Sequence, residues 1–87
     1  MNIPKIGYCI EWCPVCKQGW IFVYKEKDSG TLFIACQECL SEWVSPESLK
    51  KQVVPTQNVF KPASLADMDD IQYLKWNKYI IGEIKLK

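Results

Sequence analysis

The chain has 87 residues, with 11 lysines set against 10 carboxylates and a formal net charge of +1. That balance offers no general attraction to nucleic acid or to an anionic membrane surface. Every basic residue is lysine, and arginine and histidine are absent, which removes the side chain that reads phosphate and guanine in two-pronged fashion and the one most often used as a general base near neutral pH.

Hydrophobic residues make up 48% of the chain, too many for a disordered segment. A chain this short nevertheless buries a modest fraction of its surface, so a single domain of this size needs a staple besides its core. The opening Met1-Asn2-Ile3-Pro4-Lys5 has no apolar signal region, and no apolar run approaches the ~20 residues that span a bilayer. The expected location is cytoplasmic, with no membrane partner. Five cysteines, an odd number, suit a disulfide framework poorly.

In chain order, Cys9 comes first and reads as a small buried hydrophobe between Tyr8 and Ile10. Cys13-Pro14-Val15-Cys16 follows. Trp20-Ile21-Phe22-Val23-Tyr24 and Thr31-Leu32-Phe33-Ile34-Ala35-Cys36 have strand composition, and the polar run from Lys25 to Gly30 supplies turn chemistry for a hairpin. Trp20, Phe22 and Tyr24 lie on one strand face and Ile21 and Val23 on the other, so both faces call for cover. Cys36-Gln37-Glu38-Cys39 closes the second strand.

Ser45-Pro46-Glu47 predicts a short helix, with serine capping and proline in the first turn, and Pro55 ends anything begun there. A second helix is expected after Ser64, with Asp67 at capping-box spacing and Leu65, Met68, Ile71 and Leu74 as its buried stripe. Tyr79, Ile80 and Ile81 form an apolar tail.

The two C-x2-C pairs carry the chemistry. A hairpin fits the interval between them and returns the second pair beside the first. Four thiolates then reach one point, which suits a tetrahedral, borderline-soft zinc ion. Cys13, Cys16, Cys36 and Cys39 are the expected ligands of one structural Zn2+. Such a site contributes folding free energy on the order of 10 kcal/mol. Iron in a rubredoxin-like electron carrier is the chemical alternative. No thioredoxin-like βαβ pattern accompanies the pairs.

The expected fold is small α+β: a zinc-knuckle hairpin with one or two short C-terminal helices packed on the sheet. Residues 1–87 form one domain, divided into a zinc-binding part (1–44), a connector with a short helix (45–62) and a C-terminal helix and tail (63–87).

Around the hairpin, Cys13-Pro14-Val15-Cys16 and Cys36-Gln37-Glu38-Cys39 resemble a zinc ribbon, over about half the chain. Many ribbons have glycine straight after each knuckle; here Lys17 and Leu40 stand there, with Gly19 displaced, which predicts distorted knuckle turns. Residues 36–47 and 70–80 are similar to small bacterial zinc-ribbon proteins, some of which look like immunity partners of contact-dependent or other polymorphic toxins. The resemblance implies a protein-interaction module and a protein partner, with a toxin as the concrete case.

Asp67, Asp69 and Asp70 are the candidate partner-binding residues, since a carboxylate cluster can meet a basic surface. A nucleic-acid-binding ribbon, using Lys17, Lys25 and Lys27 with Trp20 and Tyr24, is the alternative, and Glu26 and Asp28 dilute that patch, so nucleic acid is not the expected partner. No catalytic constellation is recognisable, and an enzyme is not expected.

Overall fold

The computed structural model describes residues 5–57, 59 and 63–86. Strands β1 (Lys5–Trp12), β2 (Trp20–Glu26), β3 (Leu32–Cys36), β4 (Glu42–Trp43), β5 (Ala63–Leu65) and β6 (Gly82–Leu86) form one antiparallel six-stranded sheet among these residues. Its order is β4-β3-β2-β1-β6, with β5 paired to β2. Two short helices, α1 (Pro46–Lys50) and α2 (Met68–Tyr73), and a 3-10 turn at Trp76–Tyr79 complete it. Neither helix is long and apolar enough to cross a membrane. The end of the connector at 60–62 and the first four residues lie outside the described residues.

The β2–β3 hairpin forms as its composition requires, with Tyr24 opposite Phe33 and Lys25 opposite Leu32. Gly30 takes φ 76° in the turn, where its N–H donates to the Glu26 carbonyl at 2.9 Å. A side chain there would force an L-residue into the left-handed region.

Strand β1 is absent from the sequence reading, although Ile6, Tyr8, Ile10 and Trp12 alternate in strand fashion. Its C-terminal half pairs with β2, Cys9 opposite Phe22 and Trp12 opposite Trp20, with a break in register between Cys9 and Glu11. Its N-terminal half pairs with β6, from Lys5 opposite Leu86 to Cys9 opposite Gly82. Residues 82–86 of the C-terminal tail therefore form a sheet strand, an element the sequence reading did not include beside the expected helix. Beyond the point where β1 leaves β2, residues 63–65 pair with Tyr24, Lys25 and Glu26. Ser64 consequently lies in a strand and caps no helix.

Asp67 caps α2 instead, its carboxylate accepting from the Asp70 N–H at 3.0 Å. Capping has moved one turn along the chain because sheet pairing claims Ser64 and because Asp67 caps equally well. The helix is then only six residues long, and Lys75 at φ 61° ends it. The predicted stripe cannot be completed: Ile71 is 0% exposed, whereas Leu74, at the C-cap, is 42% exposed. The first helix matches expectation more closely, with Ser45 accepting from the Ser48 N–H and Pro46 in the first turn. It stops at Lys51–Gln52, with Gln52 at φ 59°, ahead of Pro55.

Both faces of the hairpin are covered. Ile21, Val23, Leu32, Ile34, Cys36 and Trp43 form one cluster with Leu49, Ile71 and Trp76 from the helical segments and Ala66 from the link before α2. Cys9, Phe22, Phe33 and Ala35 are buried too, and the strand alternation puts them on the other face. Trp43 Nε1–H donates to the Val53 carbonyl at 2.9 Å, which ties the connector to the sheet.

These packing differences give a contrast measurable by denaturant unfolding. Ile71→Ala is expected to cost about 2–5 kcal/mol, the range for truncating a fully buried aliphatic side chain. Leu74→Asp is expected to cost about 1 kcal/mol or less, since its charge stays in contact with water.

Candidate metal centre

Each cysteine pair sits in the turn of its own hairpin. Cys13 and Cys16 lie in the link from β1 to β2; Cys36 ends β3, and Cys39 lies in the link to β4. In an antiparallel sheet both links fall at the same end, beside each other because β2 and β3 are neighbours. The sequence reading placed a hairpin between the two pairs; the structure adds a flanking strand outside each pair, so both ends of each loop are held.

The four sulfurs all lie within 4.8 Å of one another, and Cys9 is not among them. Cys13 Sγ is 3.7 Å from Cys39 Sγ, and Cys16 Sγ is 3.6 Å from Cys36 Sγ. Four sulfurs around a zinc at ~2.3 Å define a tetrahedron with edges of about 3.8 Å. The cluster fits that size, and its donors are of one kind, so the four cysteines could hold a metal ion.

The two loops repeat one pattern. The Val15 N–H donates to Cys13 Sγ at 3.4 Å, and the Glu38 N–H donates to Cys36 Sγ at 3.3 Å. Backbone donors aimed at sulfur favour the thiolate form and orient it. After each second cysteine the chain turns through the left-handed region, at Lys17 with φ 56° and Leu40 with φ 63°. These are the positions at which glycine was expected and the turns were expected to be distorted. Instead Lys17 and Leu40 adopt the glycine-like conformation themselves, and the Lys17 N–H donates to the Cys13 carbonyl at 3.1 Å. Gly19 serves a different purpose: a Cβ there would lie 3.2 Å from Cys36 Sγ and 2.6 Å from Glu38 Cγ.

Ionisation within the cluster is uneven. Burial pushes the Cys36 thiol up to about 12, against the pull of the Cys39 and Glu38 amides. Burial acts in the same sense on Cys39, but the hydroxyl and amide of Ser41 and the thiols of Cys36 and Cys13 bring it down to about 6. Ser41 is itself buried, with Oγ 3.3 Å from Cys39 Sγ, and its carbonyl accepts from the Cys36 N–H at 2.9 Å. Neither serine nor the buried Glu42 next to it stood out in the sequence. Glu42 accepts from the Thr56 hydroxyl at 2.9 Å and the Val59 N–H at 2.8 Å, which anchors the connector beside the second loop.

Cys9 stands apart, buried at 3% exposure with its thiol donating to the Gly82 carbonyl at 3.3 Å. The three candidate partner-binding carboxylates divide. Asp67 caps α2, Asp70 forms an ion pair with Lys25 at 3.1 Å, and Asp69 is exposed. That pair also engages one of the lysines considered for nucleic acid. Of the aromatics considered with it, Tyr24 stacks on Phe33 at 5.7 Å and Trp20 meets Trp12 edge-on at 4.9 Å.

No family model, no curated protein and no solved structure matches the chain.

The left-handed turns generate a stability test. A side chain in that region costs about 1–2 kcal/mol, offset in glycine by roughly 0.5–1 kcal/mol of backbone entropy. Leu40→Gly, at an exposed position, is expected to leave metal content unchanged and stability equal or higher by up to about 1 kcal/mol in chemical denaturation. Leu40→Val should destabilise, since a β-branched residue tolerates positive φ least.

Proposed function

We propose that this chain is a zinc-binding protein-interaction module in which the metal is structural and the chain does no chemistry of its own. The observation that carries the metal assignment is the convergence of four thiol sulfurs within 4.8 Å. Four thiolates complete a tetrahedral shell, which leaves no position for an activated water. What zinc supplies is the tie between the β1–β2 and β3–β4 links. Zinc is favoured over iron as the ion that asks nothing of redox chemistry, and a preparation coloured red by iron would select the rubredoxin-like alternative instead.

A protein partner is supported by apolar side chains left at the surface. Val44 and Val54 are exposed beside a groove that Trp43, Ser48, Val53 and Thr56 also line. At the metal end, Trp12, Val15 and Leu40 are exposed as well. The finer proposal, an immunity protein that neutralises a toxin, draws on the resemblance of residues 36–47 and 70–80. In that case Asp69, exposed and outside the capping and ion-pair roles of its neighbours, is the carboxylate best placed to act on the encounter with a basic partner.

Elemental analysis of protein purified without added metal is expected to give about one zinc per chain. Cys36→Ser should lose both zinc and native circular dichroism, because ligation is folding free energy. Cys9→Ser should retain both. Loss of zinc from Cys9→Ser would show that the ligand set is wrong.

The partner is tested by affinity capture from the native cell, followed by association kinetics. Capture of a basic toxin whose on-rate falls with Asp69→Lys, while zinc content and fold persist, is the expected outcome. Recovery of ribosomal or polymerase components would transfer the assignment to nucleic-acid machinery.

A further inference from the structure

We propose that the four-cysteine centre is also an oxidation site for peroxide, at which the outer thiolates Cys16 and Cys39 react first and each closes a disulfide across the two loops, Cys16 to Cys36 and Cys39 to Cys13. The inference rests on the metal-binding function above and adds a chemistry to the same residues.

The four sulfurs are not equivalent. Cys13 and Cys36 are buried, at 0% and 1% exposure, and each accepts a backbone N–H from its own loop. Cys16 and Cys39 are only half-buried, and each is packed against the core from its edge. An oxidant arriving from solvent meets them first, since susceptibility follows thiolate character and exposure.

The proposed resolving partners are those at the short contacts across the loops. Each outer sulfur lies beside an inner sulfur of the opposite loop, Cys16 to Cys36 at 3.6 Å and Cys39 to Cys13 at 3.7 Å. A disulfide needs its sulfurs at about 2.05 Å, an approach of roughly 1.6 Å. In the first step the outer thiolate attacks one peroxide oxygen, the O–O bond breaks, and sulfenic acid and hydroxide form. In the second, the inner thiolate attacks the sulfenic sulfur, the S–S bond forms and the second hydroxide leaves. Two thiolates lose two electrons to one peroxide, so two peroxides consume all four ligands and free the metal.

The pairing has a structural consequence. Disulfides across the loops replace the metal's tie with a covalent one, so the sheet survives the loss of the ion. Disulfides within each loop, Cys13 to Cys16 and Cys36 to Cys39, would leave the two loops unconnected. Cys9 stays out of the reaction, buried in β1 against the Gly82 carbonyl.

The experiment titrates the purified protein with hydrogen peroxide. Metal content is measured on the same sample beforehand, released zinc is followed with a chromophoric chelator, and disulfides are mapped by mass spectrometry after acid quenching and alkylation. A zinc-loaded sample should release one zinc per about two peroxides, show the Cys16–Cys36 and Cys13–Cys39 linkages, and keep its far-ultraviolet circular dichroism. Linkages within the loops, oxidation of Cys9 ahead of the cluster, or sulfonic acids without disulfides would overturn the proposal. A sample without metal at the outset would count against the metal-binding function itself, which separates the two failures.

Discussion

Two short loops must bring four sulfurs to one point, and much of the architecture can be understood from that demand. A sheet end is well suited to it. The β1–β2 and β3–β4 links leave the same end of the sheet on adjacent strands, so pairing between β2 and β3 fixes the distance between the loops. Each loop is then shaped by the same devices, an amide aimed at the inner sulfur and a left-handed residue that turns the chain back into the next strand. The repetition is physical in origin: two loops that bring their sulfurs to one point meet the same geometric requirement.

The inner sulfurs also belong to the hydrophobic core. Cys13 and Cys36 are in the cluster that contains Ile21, Ile34, Trp43 and Ile71. The cysteine cluster and the core packing are therefore coupled. With zinc bound, the ligation term, on the order of 10 kcal/mol, is comparable with the whole stability of a typical domain. A term of that size would matter in a small chain, whose apolar core is limited. The connector is secured separately, by hydrogen bonds from Thr56 and Val59 to Glu42 and from Trp43 to Val53.

Much of this was legible in the residues. The paired cysteine spacing identified the four clustered thiols, and the aromatic and β-branched runs identified β2 and β3, because both signals are local and strong. Less legible were the features that depend on partners distant in sequence. Ile6, Tyr8, Ile10 and Trp12 alternate correctly, but recognising them as a strand requires knowing that β6 will pair with its first half and β2 with its second. Ser64 and Asp67 are both sound helix caps, and only the pairing of residues 63–65 with β2 decides between them. The residue types Lys17 and Leu40 disguise their positive φ, since tertiary restraint imposes a conformation that their own preferences disfavour; only the glycine that ribbons carry at those positions hinted at it. Ser41 and Glu42 acquire their roles through burial, which composition does not reveal.

The central claim is that Cys13, Cys16, Cys36 and Cys39 together form the coordination shell of one ion. X-ray absorption at the zinc edge tests it most directly. The account predicts four sulfur scatterers at about 2.3 Å and no nitrogen or oxygen in the shell. A shell with a light atom at about 2.0 Å would contradict it, since one of the four thiolates would then be displaced from the metal and the site would be open to chemistry.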